Sequence, residues 1–216
     1  MPTEHHLEIH RTARYFTSGN ASDPAEVWIV LHGYGQLAER FLSRFAPADD
    51  GRRLFVAPEG LSRFYVTGAG GPDSKVGASW MTREDRLTEI ADYLRYLDAV
   101  HDEVFARLRR DTVRLHVLGF SQGTATAARW ALRGKARVDR LVLWAGLLPP
   151  DDEWRTGVGR LTAMDLTIVA GERDEWVRGN LALAEAALVQ AKVRYRVLGF
   201  PGGHEIPGDI LREVMK

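Results

Sequence analysis

The chain has 216 residues, 45% of them apolar and 27% charged, enough to bury the core of one ordinary globular domain. Lys+Arg and Asp+Glu both number 29, so no charge excess marks a binder of nucleic acid or of an anionic membrane. There is no Cys, which excludes disulfides, thiolate metal sites and a cysteine nucleophile.

The opening MPTEHHLEIHR is polar and shows no signal-peptide pattern, and no apolar run approaches membrane-spanning length, so a cytoplasmic protein is expected. A first strand is expected over 7–15. His6, just before this segment, and His10, within it, are four apart, a spacing that makes no helix-type bidentate site in extended chain, so no metal is expected. Further strands are expected over 27–31, 53–57, 113–118, 140–144, 166–170 and 193–198. VWIVL and LVLW read as continuous apolar runs, as parallel strands covered on both faces do. VRYRVL alternates and belongs nearer a sheet edge. Residues 58–81, rich in Gly and aromatics, form a long loop without period, which in a compact domain points to function. A helix follows over 83–108, with Leu87, Ile90, Leu94, Leu97, Val104 and Leu108 as its apolar stripe and Thr82 with Asp85 as a capping box. Other helices follow Ser121, cover 177–190 and close the chain after Pro207. Strands alternating with helices predict a single α/β domain, residues 1–216, built on a mostly parallel central sheet of about seven strands with helices on both faces.

The chemistry centres on Gly119-Phe120-Ser121-Gln122-Gly123, a Gly-x-Ser-x-Gly between a strand and a helix. That setting strains the serine backbone and lifts its hydroxyl to the mouth of the sheet. A serine hydroxyl needs a base, and the base needs an acid to orient it. The one His after Ser121 is His204, in the loop after the last strand, flanked by Gly202 and Gly203. The acid belongs in GERDEWV, after strand 166–170. Asp174 is the choice, with Glu172 and Glu175 as alternatives. Oxyanion donors are expected from the backbone N–H groups of Gln122 and of Tyr34, in the turn His32-Gly33-Tyr34-Gly35, which His32 braces. Phe64, Tyr65, Trp80 and Met81 from the long loop, with Leu147, Leu148 and Trp176, are expected to wall a small substrate pocket.

Two other readings compete. GYGQLA, residues 33–38, fits a dinucleotide fingerprint, with Glu59 near the place of a ribose-binding acid, which would make the protein a nicotinamide-dependent oxidoreductase. A catalytically inactive binding module on the same fold is the other.

In this order and spacing VLHGYG, GFSQG, LWAGLLP, GERDEWV and GGHEIP resemble the phospholipase/carboxylesterase branch of the α/β-hydrolases, which includes acyl-protein thioesterases and small bacterial carboxylesterases. The resemblance runs from about Val27 to the C-terminus. It implies the α/β-hydrolase fold, a triad of Ser121, Asp174 and His204, and oxyanion amides on Tyr34 and Gln122. It implies a serine hydrolase of esters or thioesters that needs no cofactor; the small aromatic-walled pocket expected from the loop residues adds a preference for short to medium acyl chains. A small-molecule ester or thioester is the expected partner, with a homodimer left open. The chain departs from the family at Thr124, where members often carry Gly or Ala. It departs again at Trp176-Val177-Arg178, where they often carry Val-Pro, and in ASWMTRED, which lacks an acid directly after its aromatic pair.

Overall fold

Runs of β-branched and aromatic residues with no polar interruption can bury both faces only at the centre of a layered fold. The computed structural model, which describes residues 1–68, 70–149 and 152–216, places them there. The strands are β1 (Tyr15–Gly19), β2 (Glu26–Leu31), β3 (Arg53–Pro58), β6 (Arg114–Phe120), β7 (Arg140–Trp144), β8 (Asp165–Gly171) and β9 (Tyr195–Phe200), joined in the order β1-β3-β2-β6-β7-β8-β9. All neighbours pair in parallel except β1, which runs antiparallel to β3. As its alternation predicted, β9 is an edge.

Two cores cover the two faces. One gathers Ile29, Trp80, Leu97, Leu115, Trp130 and Leu143 beneath α2 (Arg86–Phe105), α3 (Gln122–Arg133) and α5 (Glu175–Gln190). The other gathers Trp28, Phe41, Phe55, Trp144 and Leu211 beneath α1 (Ala38–Leu42) and α6 (Gly208–Val214). A short α4 (Val158–Leu161) leads into β8. Among the described residues no helix is long and apolar enough to cross a membrane.

Four expectations are corrected. The first strand is not 7–15: Leu7 and Ile9 are exposed, and the paired segment is Tyr15–Gly19. The stripe of α2 loses Leu87, which is exposed, and gains Tyr93 and Val100, which are buried with Ile90 and Leu97 while Leu94, Val104 and Leu108 pack against the core; Tyr93 meets Trp80 edge-on. No capping box forms; the Glu89 carboxylate instead accepts from both the N–H and the hydroxyl of Thr82. Residues 58–81 are not a loop without structure. They contain an antiparallel hairpin, β4 (Ser62–Thr67) and β5 (Lys75–Ser79).

The chain leaves β2 toward β3 and later returns to β6 on the other side of β2. In such sheets the reversal opens a crevice at the strands' carboxyl ends. Ser121 follows β6 and the Gly33–Gly35 turn follows β2, so both stand at that crevice.

Candidate active site

Ser121 has φ 54° and ψ −120°, a left-handed backbone held between strand and helix. Its N–H donates to Trp144 O at 2.9 Å, and its carbonyl accepts from the Thr124 N–H at 3.0 Å and the Thr124 hydroxyl at 2.7 Å. The flanking glycines are demanded by space. A Cβ on Gly119 would stand 2.2 Å from Gly123 O, and one on Gly123 would stand 2.2 Å from Leu31 O. The departure at Thr124 thus has a local use: this buried side chain fastens the strained turn from behind.

His204 Nδ1 lies 2.7 Å from Asp174 Oδ2. Asp174 is only 5% exposed and also caps α5, its Oδ1 accepting from the Val177 N–H at 3.4 Å. Glu172 and Glu175 face solvent and hold no such position. The loops after β8 and β9 are sewn together by Glu172 N–H to Phe200 O at 2.9 Å and Arg173 N–H to Gly202 O at 2.8 Å. Only one of the two glycines before His204 is required there. A Cβ on Gly202 would strike the Phe200 ring at 2.2 Å, whereas one on Gly203 meets nothing within 4 Å. The His204 ring lies against Phe120, centroids 5.0 Å apart.

His32 is fully buried, and that burial holds its imidazole below the ordinary range. Its Nε2 accepts from the Gly60 N–H at 2.9 Å and its Nδ1 lies 2.8 Å from Gly33 O. The turn is pinned further by Gly33 N–H to Gln36 Oε1 and Gly35 N–H to Ala78 O, both at 2.9 Å. Among the described residues neither the Tyr34 N–H nor the Gln122 N–H has a protein acceptor. The nicotinamide reading loses its ribose acid: the buried Glu59 carboxylate is taken by Arg14, Arg63 and the Ala38 N–H.

A cavity of about 430 Å³ brings Ser121, Gln122 and His204 together with Met81, Leu147, Leu148 and Trp176. Among the described hydrogen bonds none joins Ser121 Oγ to His204, so the two meet across this space. Three expected wall residues are elsewhere. Trp80 is 2% exposed, donates from Nε1 to His32 O at 2.8 Å and belongs to the core. Phe64 packs on the Tyr34 ring and Tyr65 is exposed, because the hairpin docks on the 33–36 turn and not over the cavity. The cavity also has a polar side that sequence reading missed, with Arg86, Thr126 and Arg129. Arg129 is 4% exposed, and Arg86 and Arg129 both bond Glu153. A lone Arg inside the small-residue run ATAARWA was the available signal. The Gln122 side chain was missed too. It accepts from the Trp80 N–H at 3.1 Å and donates to Met81 O at 2.8 Å, which draws Met81 to the cavity. Outside the cavity, Glu4, His6 and Asp85 bring ligand atoms within 4.8 Å of one another, all exposed.

The fold is shared with solved structures of low sequence identity. The acyl-protein thioesterase 2 of Zea mays is 16% identical, with a TM-score of 0.71 over 94% of this chain and 96% of that one. A carboxylesterase from Mesorhizobium loti is 20% identical, with a TM-score of 0.67 over 94% of each chain. The Bacillus cereus carboxylesterase is 14% identical, with a TM-score of 0.67 over 94% of this chain and 92% of that one. No curated protein matches the sequence. The family model described as Phospholipase/Carboxylesterase matches residues 15–216. The chain belongs to the phospholipase/carboxylesterase family of α/β-hydrolases.

Proposed function

We propose that the protein, as one catalytic domain, hydrolyses carboxylic esters or thioesters of short to medium acyl chains through an acyl-enzyme on Ser121. The observation that carries this reading is the 2.7 Å hydrogen bond from the buried Asp174 to His204, whose ring opens onto the same cavity as the strained Ser121. Ser121 Oγ attacks the carbonyl carbon while His204 Nε2 takes its proton. Asp174 keeps the Nδ1–H in place and stabilises the imidazolium. The Tyr34 and Gln122 N–H groups, free of protein acceptors among the described residues, receive the charge that develops on the carbonyl oxygen. His204 then protonates the leaving alcohol or thiol, and a water molecule activated by the same imidazole releases the acid.

Acyl length is read from the cavity. About 430 Å³ lies in the lower part of the range of small-molecule pockets, and no separate lid domain extends it among the described residues. A fluorophosphonate probe, read by mass spectrometry, is expected to add to Ser121 in the native chain and not in Ser121→Ala. That variant is expected to keep its fold and lose about 10³-fold or more of its activity. Labelling that persists in Ser121→Ala would overturn the assignment. Among p-nitrophenyl acetate, butyrate, octanoate and palmitate, kcat/KM is expected to peak at butyrate to octanoate; a clear preference for palmitate would refute the chain-length reading.

A further inference from the structure

The opposite end of the sheet holds a second cavity of about 390 Å³, lined by Arg140, Asp165, Thr167, Arg194, Tyr195 and Arg196 among others. Register explains the grouping. Arg140 stands beside Asp165, and Thr167 beside Arg196, in adjacent parallel strands. Paired residues and those two apart share a face, so these four project to the side covered by α6. That helix ends at Val214, whose carbonyl accepts from Arg140 Nη1 at 3.2 Å. Beyond it the face of β8 and β9 is open.

The cations here outnumber the anions, three arginines to one carboxylate. Among the described residues no carboxylate lies within 4.0 Å of the guanidinium of Arg140, Arg194 or Arg196. At the same end of the sheet, where the parallel strands begin, Arg53 and Arg114 both pair with Glu26, and Arg110 pairs with Asp139. Asp165 lines the cavity and offsets part of the charge without forming an ion pair. The guanidinium of Arg196 is aimed: its Nε donates to Thr167 Oγ1 at 2.9 Å, and Thr167 is 1% exposed. This leaves both Nη groups of Arg196 and the Nε and Nη2 of Arg140 as donors at the cavity. Arg140 is also held below its ordinary pKa, first by burial and then by the charge of Arg196. A fold that gathers like charges in a recess, two of them fixed by one neutral acceptor each, is short of an anion.

We propose that this recess binds a small phosphoryl-bearing anion, held by the guanidinium forks of Arg140 and Arg196 with Arg194 at the rim. Planar forks match the tetrahedral oxygens of a phosphoryl group, and three guanidiniums against one carboxylate suit a dianion better than a single carboxylate. The site is separate from the esterase chemistry. Arg140 is level with His116, five residues before Ser121, which is roughly 16 Å along the strand.

The test is calorimetric titration of the full chain with sodium pyrophosphate at constant ionic strength. A parallel arm sediments the chain with vesicles containing phosphatidic acid, so that a soluble phosphate is told apart from a lipid headgroup. One saturable site with Kd of about 1 mM or tighter is expected in one of the two arms. It is expected to weaken about 10-fold or more in Arg196→Gln and in the double variant Arg140→Gln/Arg196→Gln. Arg196→Lys, which keeps the charge and loses the fork, is expected to fall between. Hydrolysis of p-nitrophenyl butyrate by Arg196→Gln serves as the check of folding. Arg86→Gln, which alters the catalytic cavity, is expected to bind pyrophosphate as the native chain does. Three results overturn the proposal: no saturable binding in either arm, undiminished binding in the folded Arg196→Gln chain, or binding lost in Arg86→Gln instead.

Discussion

Two tryptophans near Ser121 are expected to respond oppositely to truncation. Trp80 is 2% exposed, lies 5.1 Å from the His32 ring and edge-on to Tyr93, and donates its indole N–H to His32 O. Removing a fully buried Trp side chain costs about 3–5 kcal/mol. For a domain of this size each kcal/mol moves Tm by about 2–4 °C, so Trp80→Ala is expected to melt roughly 6–20 °C lower. Trp176 is 59% exposed and lines the cavity beside His204. Its truncation removes little from the core, and Tm is expected to hold to within the equivalent of about 0.5 kcal/mol. Its effect belongs to selectivity. Opening the wall is expected to raise kcat/KM for the octanoate ester relative to butyrate by about 10-fold, the worth of roughly one methylene contact in an apolar pocket. Scanning calorimetry and the p-nitrophenyl ester series measure both quantities. A Trp80→Ala protein that keeps its Tm and shifts the ester preference would refute the division between core and pocket. So would a Trp176→Ala protein with a fallen Tm and an unchanged preference.

Asp174→Asn is expected to lower kcat by several orders of magnitude, about 10⁴ in the best-studied triad, while the exposed Glu172→Gln and Glu175→Gln lose little; steady-state rates of the three variants check this. The stability curve is expected to carry the mark of His116. It is 3% exposed with neither ring nitrogen bonded, and burial pushes it down to about 4. The unfolded imidazole, with its ordinary pKa near 6.5, takes up a proton between those values when the folded one does not. Stability therefore falls as pH drops from about 6.5 to about 4, by at most about 3 kcal/mol from this group. Urea melts across that range are expected to show a shallower slope in His116→Phe, and an unchanged slope would remove His116 as its source.

The strands of the sheet interior were legible because their chemistry is local: nothing polar interrupts VWIVL or LVLW, and only a doubly covered strand tolerates that. The elbow was legible because Gly119 and Gly123 are dictated by backbone contacts that any such turn makes. What failed depended on partners distant in the chain. Leu7 and Ile9 alternate as a strand would, yet β3 pairs with Tyr15–Gly19, and no local pattern says where an edge strand finds its neighbour. Trp80 and Met81 are adjacent aromatic and apolar residues on one segment. The Gln122 amide and the Tyr93 ring decide that the first goes to the core and the second to the cavity. The polar side of the cavity was hidden because Arg129 is carried there by a helix chosen for the serine, and its partner Glu153 arrives from another connection.

On the mechanism proposed above, much of the rigidity that oxyanion stabilisation requires comes from a residue that takes no part in the chemistry. Donors lower a barrier only when they are fixed before the charge develops. The turn carrying the Tyr34 N–H has five residues of helix behind it in α1, too few to hold itself. Gln36 and Ala78 hold the turn's glycines, and His32 supplies the buried anchor. The Gly60 N–H can only donate, so Nε2 must be bare, and the proton on Nδ1 then faces Gly33 O. One neutral tautomer serves both bonds, and the carbonyl of the same residue receives the Trp80 indole. Loops after β2, β3 and β5 are thereby tied at a single buried point. A protonated ring would set a donor against the Gly60 N–H. The burial that keeps His32 neutral is therefore the condition on which the turn keeps its shape.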